Sequence, residues 1–207
     1  MTRTAPALEW YDGLMWEPPH RHHHTYSAYV QFERDAGSKH EYINGDIIAM
    51  AGGSPDHAAI SANLISILAR QLSAKPCRVY TSDLKIRIAA VNVATYPDVS
   101  VVCGPPILDP EDKAGHTILN PTVLIEVLSP STAKYDCNDK VAFYKQIVSL
   151  REIMLVDYAK QRLLVWRKGA LDQPWEAIET VDGAARLESI DCEVSIAEVY
   201  RDPFASS

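Results

Sequence analysis

Residues 122–128, Thr-Val-Leu-Ile-Glu-Val-Leu, decide the fold, because this run of aliphatic residues is interrupted by one acid, Glu126. Such a run is typical of a strand that is buried in a sheet. Side chains alternate along a strand, so Leu124, Glu126 and Leu128 are predicted to share one face. A carboxylate is costly to bury without a cation or a set of donors. Glu126 therefore predicts either a polar cleft beside this strand or a strand end that reaches solvent.

Helices and strands alternate around this stretch, which predicts an α/β protein with a mixed α+β sheet flanked by helices. Thr25 is a candidate N-cap for a first helix over 25–36. Asn44-Gly45 favours a tight hairpin, because both residues tolerate a positive φ. A long helix follows, from Ser54 to Ser73, with apolar residues at helical spacing. The other predicted elements are strands over 40–43, 47–50, 78–81, 84–89, 99–103, 122–128, 153–157, 162–167 and 175–179, a helix over 138–148 and a helical turn over 196–200.

The length of 207 residues, with 47% hydrophobic and 23% charged residues, predicts one globular domain. We expect that domain over 25–200, a flexible arm over 1–24 and a short tail over 201–207. No signal peptide and no membrane-spanning run is visible, so a cytoplasmic protein without a membrane partner is expected. The cysteines form no CxxC pair, which favours reduced thiols. They are Cys77, Cys103, Cys137 and Cys192.

The net charge of −7 argues against a protein that coats nucleic acid through bulk charge. The excess is local, however, because 9 acids and 2 bases follow Gly169, whereas the preceding residues hold 18 of each. Residues 134–168 carry 8 bases and 4 acids, which fits either a solvated surface or a basic face. The charge distribution therefore leaves room for an enzyme that holds DNA in one local groove.

Three further polar residues are candidates for a site with Glu126. Asp98 begins the strand over 99–103, where it is either an ordinary turn residue or a metal ligand. Lys140 lies in the first turn of its predicted helix, where the helix dipole disfavours a cation. It is either a solvated lysine or one that reaches the edge of the buried face. Glu41 alternates with apolar residues along its strand. It is therefore either a residue of the same site or a residue on the solvent-facing side of a sheet. The polar residues at and just before the strand over 84–89 are expected on its solvent-facing side, and the alternative is that one of them lines the same cleft. They are Asp83, Lys85 and Arg87.

Two carboxylates and a lysine suit the metal-dependent hydrolysis of phosphodiester bonds. Asp98 and Glu126 would hold Mg²⁺, which prefers oxygen ligands and lowers the pKa of a bound water. Lys140 would stabilise the negative charge that develops during the reaction. The sequence has no phosphate-binding P-loop, no dinucleotide fingerprint and no nucleophile elbow, so no organic cofactor is expected.

The motifs that contain these residues resemble, in order and over about residues 25–200, the Uma-type family of "putative restriction endonucleases" in the PD-(D/E)xK nuclease superfamily. Each motif alone is weak, but the ordered set is specific. The motifs are Glu41-Tyr42-Ile43-Asn44-Gly45-Asp46 with Met50, Ser54-Pro55-Asp56-His57, Tyr96-Pro97-Asp98 with residues 99–102, residues 126–132, Asp139-Lys140 with Tyr144, and residues 152–157.

The resemblance implies a restriction endonuclease-like core, a mixed sheet between helices, with an extra N-terminal helix and hairpin. It implies that Asp98 and Glu126 are the two acids of the motif and that Glu41 is a further metal ligand. Leu128 occupies the position of the motif lysine, so Lys140 looks like a relocated lysine.

The activity implied by the resemblance is a DNA endonuclease dependent on Mg²⁺, with Mn²⁺ as a substitute. DNA is then the partner, and a homodimer is expected because a double-strand break needs two sites. The alternative is a catalytically inactive protein that kept the nuclease scaffold and binds nucleic acid or protein. Its acidic C-terminal part and modest content of basic residues favour that alternative.

Overall fold

The computed structural model describes residues 2–4, 23–129, 135–170, 173–202 and 204. This part of the chain forms a seven-stranded mixed sheet, a five-stranded sheet and a two-stranded hairpin, with helices packed against them. The predicted class, a mixed sheet flanked by helices, is confirmed. The helices are α1 (Tyr26–Asp35), α2 (Pro55–Leu72), α3 (Val141–Tyr144) and α4 (Ile196–Val199). The strands are β1 (Thr2–Thr4), β2 (His40–Ile43), β3 (Asp46–Ala49), β4 (Cys77–Thr81), β5 (Lys85–Ile88), β6 (Val93–Thr95), β7 (Val99–Cys103), β8 (Thr117–Ile118), β9 (Val123–Leu128), β10 (Glu152–Asp157), β11 (Arg162–Arg167), β12 (Glu176–Thr180), β13 (Ala184–Leu187) and β14 (Cys192–Ser195).

The large sheet has the strand order β1-β12-β11-β10-β9-β7-β4. β9 and β10 are parallel, and the other neighbours are antiparallel. β9 lies inside this sheet and is buried along its whole length. Of the arm predicted over 1–24, residues 5–22 lie outside the described part, while β1 pairs with β12 at the sheet edge.

The two faces of β9 contact different layers of the protein. Val123, Ile125 and Val127 face a core that includes the apolar side of α2. Leu124 and Leu128 face a second core, to which α3 and the five-stranded sheet contribute. The order of the smaller sheet is β3-β2-β6-β5-β8. The alternation of β9 therefore directs Glu126 toward the layer that contains α3 and the smaller sheet.

The long helix α2 follows the prediction closely. Ser54 is its N-cap and accepts a hydrogen bond from the backbone N–H of His57, while Pro55 occupies the first turn, where its missing N–H has no consequence. The apolar face of α2 packs on the large sheet, and the hairpin of β13 and β14 packs on the same core. No helix among the described residues combines the length and hydropathy that a bilayer crossing requires.

The prediction of a solvent-facing polar side for the strand over 84–89 is confirmed for Asp83 and wrong for Lys85 and Arg87. Lys85 and Arg87 are buried, because Tyr29 and Tyr26 of α1 lie over them. The Arg87 guanidinium stacks 3.8 Å from the centre of the Tyr26 ring and donates to the carbonyl of Val93. An alternating pattern alone does not reveal that aromatic residues cover the polar face.

The expectation of reduced thiols is also wrong for two of the four cysteines. Cys77 and Cys103 form a disulfide between β4 and β7, in which the two residues are directly opposite. Cys137 and Cys192 are free. The pairing arises from the strand register, which the spacing of 26 residues along the chain does not indicate.

The predicted helix over 138–148 is shorter and begins earlier. A π-helical turn over Asp136–Lys140 continues into α3, which ends at Tyr144. Single turns of π-helix inside α-helices are frequent at functional sites. After α3 the chain continues in turns, in which the N–H groups of Ile147 and Leu150 donate to carbonyls three positions back. The side chains of both residues are buried.

Candidate active site

A cleft of about 1020 Å³ opens beside the N-terminal end of α2. On its other side lies the end of the large sheet at which β7 begins and β9 ends. Three of the four predicted site residues, Asp98, Glu126 and Lys140, line this cleft. Glu41, in β2, lies behind them and contacts Lys140. The site is therefore assembled from both sheets and from the π-helical turn.

Lys140 is the centre of a buried charge cluster. Its Nζ lies 3.2 Å from Oε1 of Glu41, 3.2 Å from Oε1 of Glu126 and 3.3 Å from Oδ1 of Asp136. The lysine is only 5% exposed and Glu126 only 2%. These values exclude the solvated lysine and the solvent-reaching strand end considered from the sequence. One ammonium thus holds three carboxylates together.

Hydroxyl groups position the two glutamates of this cluster. The Tyr144 hydroxyl donates to Oε1 of Glu126, and Thr95 donates to Oε1 of Glu41. The hydroxyl of Tyr135 donates to the other oxygen of Glu41 over 3.1 Å. Hydrogen bonds of this kind satisfy the lone pairs that the lysine leaves free. The carboxylates are therefore held in fixed orientations.

Asp98 occupies a separate position at the mouth of the cluster. Its Oδ2 accepts a 2.8 Å hydrogen bond from the backbone N–H of Val127 and lies 3.1 Å from Nε2 of His57. Its side chain is 17% exposed, more than the acids around Lys140. The bond to Val127 places the Asp98 carboxylate beside the residue that follows Glu126. His57 reaches it from the first turn of α2.

The charges of the cluster perturb each other. Burial raises the pKa of Glu126 well above its ordinary value; the Lys140 ammonium opposes this, and the carboxylates of Asp98 and Asp136 add to it. Burial lowers the pKa of Lys140, but the carboxylates of Glu126, Glu41 and Asp136 outweigh it and hold the pKa well above the ordinary value. The hydrogen bond with Asp98 raises the pKa of His57. The cluster is therefore short of positive charge.

Reasoning from the sequence missed two residues of this site. Asp136 is buried beside Lys140, and its signal was the spacing of four residues between an acid and a base. His57 belonged to a motif but was weak evidence alone, because its distance to Asp98 depends on where α2 packs. Residues 130–132 of the motif that begins at Glu126 lie outside the described residues.

The donor set fits a hard divalent cation in its chemistry. Carboxylate oxygens are the ligands that Mg²⁺ prefers, and a cation would supply the positive charge that the cluster lacks. Yet no group of three His, Cys, Asp or Glu side chains in the described ranges is already arranged around a common metal position. The carboxylates of Glu41, Glu126 and Asp136 instead converge on Lys140. These residues thus have the right chemical groups to bind Mg²⁺, but the Lys140 ammonium occupies the point where three of the carboxylates meet.

Comparison with known proteins finds a matching family model, related sequences and a similar solved structure. Residues 24–197 match the model of the Uma2 family, described as "Putative restriction endonuclease". One uncharacterized protein of Synechocystis sp. is 36% identical over 176 residues, which is 84% of this chain and 89% of the relative. A second uncharacterized protein of that organism is 33% identical over 164 residues, or 79% of this chain and 91% of the relative.

A similar structure is the crystal structure of "a putative nuclease belonging to DUF820" from Anabaena variabilis ATCC 29413. It matches with a TM-score of 0.63 and 22% sequence identity, and the match covers 80% of this chain and 91% of that chain. At this level of identity the similarity establishes a shared fold.

Proposed function

This chain belongs to the Uma2 family of putative restriction endonucleases, and on that premise we propose that it is a metal-dependent DNA endonuclease. The observation that carries the proposal is the convergence of Glu41, Glu126 and Lys140, with Asp98 at the mouth of the same cleft. Two acids at neighbouring strands and a lysine suit the hydrolysis of a phosphodiester bond with a divalent cation.

Asp98, Glu126 and Glu41 are the residues that would hold Mg²⁺, with Mn²⁺ as a substitute. When bound, the cation supplies a Lewis acid and a water of lowered pKa. The protein contributes the orientation of these carboxylates. The backbone N–H of Val127 and the ring of His57 fix Asp98, while Tyr144 fixes Glu126.

Lys140 is the electrostatic partner of the phosphate. Its ammonium is buried and stays protonated, because the surrounding carboxylates raise its pKa. A phosphate that enters the cleft would replace one of the three carboxylates as an acceptor of this ammonium, and the new hydrogen bond strengthens as negative charge develops on the phosphate oxygens. The π-helical turn is what brings the lysine to the site from outside the sheet.

Incubation of the protein with supercoiled and linear DNA, in the presence of Mg²⁺ or Mn²⁺, tests this proposal. We expect cleavage that Asp98→Asn, Glu126→Gln and Lys140→Ala each reduce by at least about a hundredfold, the effect of losing a main electrostatic contact. Asp182→Asn, an exposed acid in the turn between β12 and β13, is the matched control. Cleavage that survives Asp98→Asn would remove the assigned site, and no cleavage of any DNA would favour the alternative below.

The alternative function is an interaction module that kept the nuclease scaffold without its chemistry. The observation that favours it is that three carboxylates already form ion pairs with Lys140. In that case the cluster is a buried structural ion pair, and Mg²⁺ does not compete with the lysine. Calorimetry with Mn²⁺ distinguishes the two. An endonuclease binds the ion and loses binding in Glu126→Gln, whereas a module shows no heat of binding in either protein.

We also propose that the active form is a homodimer, since cutting both strands of a duplex requires two sites. Light scattering of the purified chain checks this directly. A monomer at working concentrations would limit the proposed activity to single-strand nicks.

A further inference from the structure

A second cleft, of about 290 Å³, lies next to the candidate active site. Its walls are the C-terminal end of α1, the segment 36–39, Lys85 of β5 and the segment 112–116. We refer to it as the Lys85 cleft. Ser38, Lys39 and Tyr96 line both clefts, so the two share a wall. A ligand that extends out of the active site on this side would enter the Lys85 cleft.

The side chain of Lys85 is buried, and its ammonium has an ion pair with Asp112 at 4.0 Å but no hydrogen bond. The residue is 4% exposed, and its Nζ lies 4.0 Å from Oδ2 of Asp112 and 4.9 Å from the centre of the Tyr29 ring. In the described ranges, no acceptor lies within hydrogen-bonding distance of this nitrogen. An ammonium has three donors, and donors that stay unpaired in a buried place cost free energy. The cleft is thus built around a cation that lacks an acceptor.

The acids of the cleft, by contrast, are already occupied. Glu33, Asp83 and Asp112 each accept hydrogen bonds from protein donors. These donors are the backbone N–H of His40 and the Tyr96 hydroxyl for Glu33, the Lys39 ammonium for Asp83, and the Thr117 hydroxyl with the Ala114 N–H for Asp112. Asp112 therefore pairs with Lys85 only at 4.0 Å, and none of these carboxylates accepts a hydrogen bond from the ammonium.

A second cation lines the same cleft and, unlike Lys85, has no carboxylate near it in the described residues. Arg34, in the last turn of α1, is exposed, and the described residues place no carboxylate within ion-pairing distance of it. Burial lowers the pKa of Lys85; the carboxylates of Asp112 and Glu33 oppose this, and the charge of Arg34 adds to it. Two cations that repel each other across one cleft are stabilised together by an anion between them. The ring of His116 lines the cleft as a further possible donor.

We propose that the Lys85 cleft is a phosphate-binding site in which Lys85 and Arg34 donate to the same phosphate group. The phosphate is either one in the backbone of a nucleic acid that occupies the neighbouring active-site cleft or a free phosphate group. Phosphate suits the donors, because guanidinium and ammonium groups are the usual partners of its oxygens. The site itself does not depend on the proposed nuclease activity; only the assignment of the phosphate to DNA does.

Titration of the intact chain with inorganic phosphate at constant ionic strength, followed by amide NMR, tests the site. We expect shifts in residues 34–39 and 112–116, and an affinity that Arg34→Gln and Lys85→Met each weaken about tenfold, as the loss of one charge-assisted hydrogen bond predicts. Arg34 is exposed, so its variant folds even where Lys85→Met does not. Arg151 is an exposed arginine that directly precedes β10 and does not line the Lys85 cleft, so Arg151→Gln should leave the affinity for phosphate unchanged.

Unchanged affinity in Arg34→Gln, or shifts confined to other residues, would overturn the proposal whatever the protein does to DNA. A second arm, with a single-stranded oligonucleotide and no metal, identifies the source of the phosphate. If it is the DNA backbone, Arg34→Gln lowers the slope of log affinity against log salt by about 0.7, one phosphate contact. If DNA binding is absent or its slope is unchanged while phosphate binding is lost, the site takes free phosphate.

Discussion

Replacement of Lys140 by methionine is the sharpest test of the buried charge cluster. The substitution keeps most of the length of the side chain and removes the ammonium, so Glu41, Glu126 and Asp136 are left facing one another. All three carboxylates are buried, and water can replace the lost cation only poorly. We expect the protein to be much less stable, with a loss that grows as the pH rises.

The size of the loss follows from the geometry. Each contact of 3.2 Å corresponds to about 5 kcal/mol of Coulomb attraction at an effective dielectric constant of about 20. The cost of burying the lysine offsets most of this attraction, and removal of one partner of a buried pair typically costs about 3–5 kcal/mol. A domain of this kind has a total free energy of unfolding of about 5–15 kcal/mol, so the variant should still fold.

The direction of the pH dependence follows from Glu126. Without the lysine, burial and the other carboxylates raise the pKa of Glu126 further above the unfolded value. The native state then binds more protons than the unfolded state, and linkage makes stability fall as the pH rises through the window between the two pKa values. The deficit should therefore be larger at pH 8 than at pH 5.5, because in acid Glu126 takes up a proton.

Urea unfolding at these two pH values, monitored by tryptophan fluorescence, measures the effect. Lys160→Met, an exposed lysine in the turn between β10 and β11, is the matched control and should change stability by less than about 0.5 kcal/mol. Adding Glu126→Gln to Lys140→Met should restore part of the loss, because one of the uncompensated charges disappears. A deficit below about 1 kcal/mol at pH 8 would refute the cluster as a strongly coupled buried unit.

Three further outcomes are expected. Ser54→Ala removes the N-cap of α2 and should lower the free energy of unfolding by about 1 kcal/mol; an unchanged melting temperature would contradict that role. Reduction of the disulfide between Cys77 and Cys103, which closes a loop of 26 residues, should cost about 3 kcal/mol in urea titrations, whereas Cys77→Ser should make reductant irrelevant. Lys145 lies 3.4 Å from the centre of the Trp166 ring, and burial lowers its pKa to about 8. An amine-reactive reagent at pH 8 should therefore label Lys145 faster than Lys160, once the rates are corrected for the exposure of each amine. Equal corrected rates would contradict the lowered pKa of Lys145.

Much of the fold was predictable because the relevant signals are local. Thr25 and Ser54 cap their helices as expected, and the Asn44-Gly45 turn joins β2 to β3. The short strands β6 and β8 were not predicted, because neither is long enough to show a pattern. The helix over 138–148 was misjudged for another reason: its apolar spacing fits an α-helix, but the π-helical turn before α3 shifts its start.

The candidate site was predictable in composition and only partly in arrangement. Glu126 was identifiable because a carboxylate in a buried strand is anomalous wherever that strand lies. Asp136, which contacts Lys140, and His57, which contacts Asp98, were not identified. An acid near a helix start and a histidine in a first helical turn are ordinary on their own. Lys85 was expected to face solvent for the same reason: nothing nearby in the sequence shows that Tyr29 and Tyr96 pack over it.

The sequence by itself determined the order of the elements, the caps, the hairpin turn and the face of β9 on which Glu126 lies. These features depend on propensities and periodicities that act within a few residues. Only the tertiary structure decided that Glu41, Glu126 and Lys140 meet, that Cys77 is bonded to Cys103, and that Lys85 is buried. The physical reason is that such contacts depend on strand register and on how layers pack. Those are set by the burial of apolar surface across the whole domain.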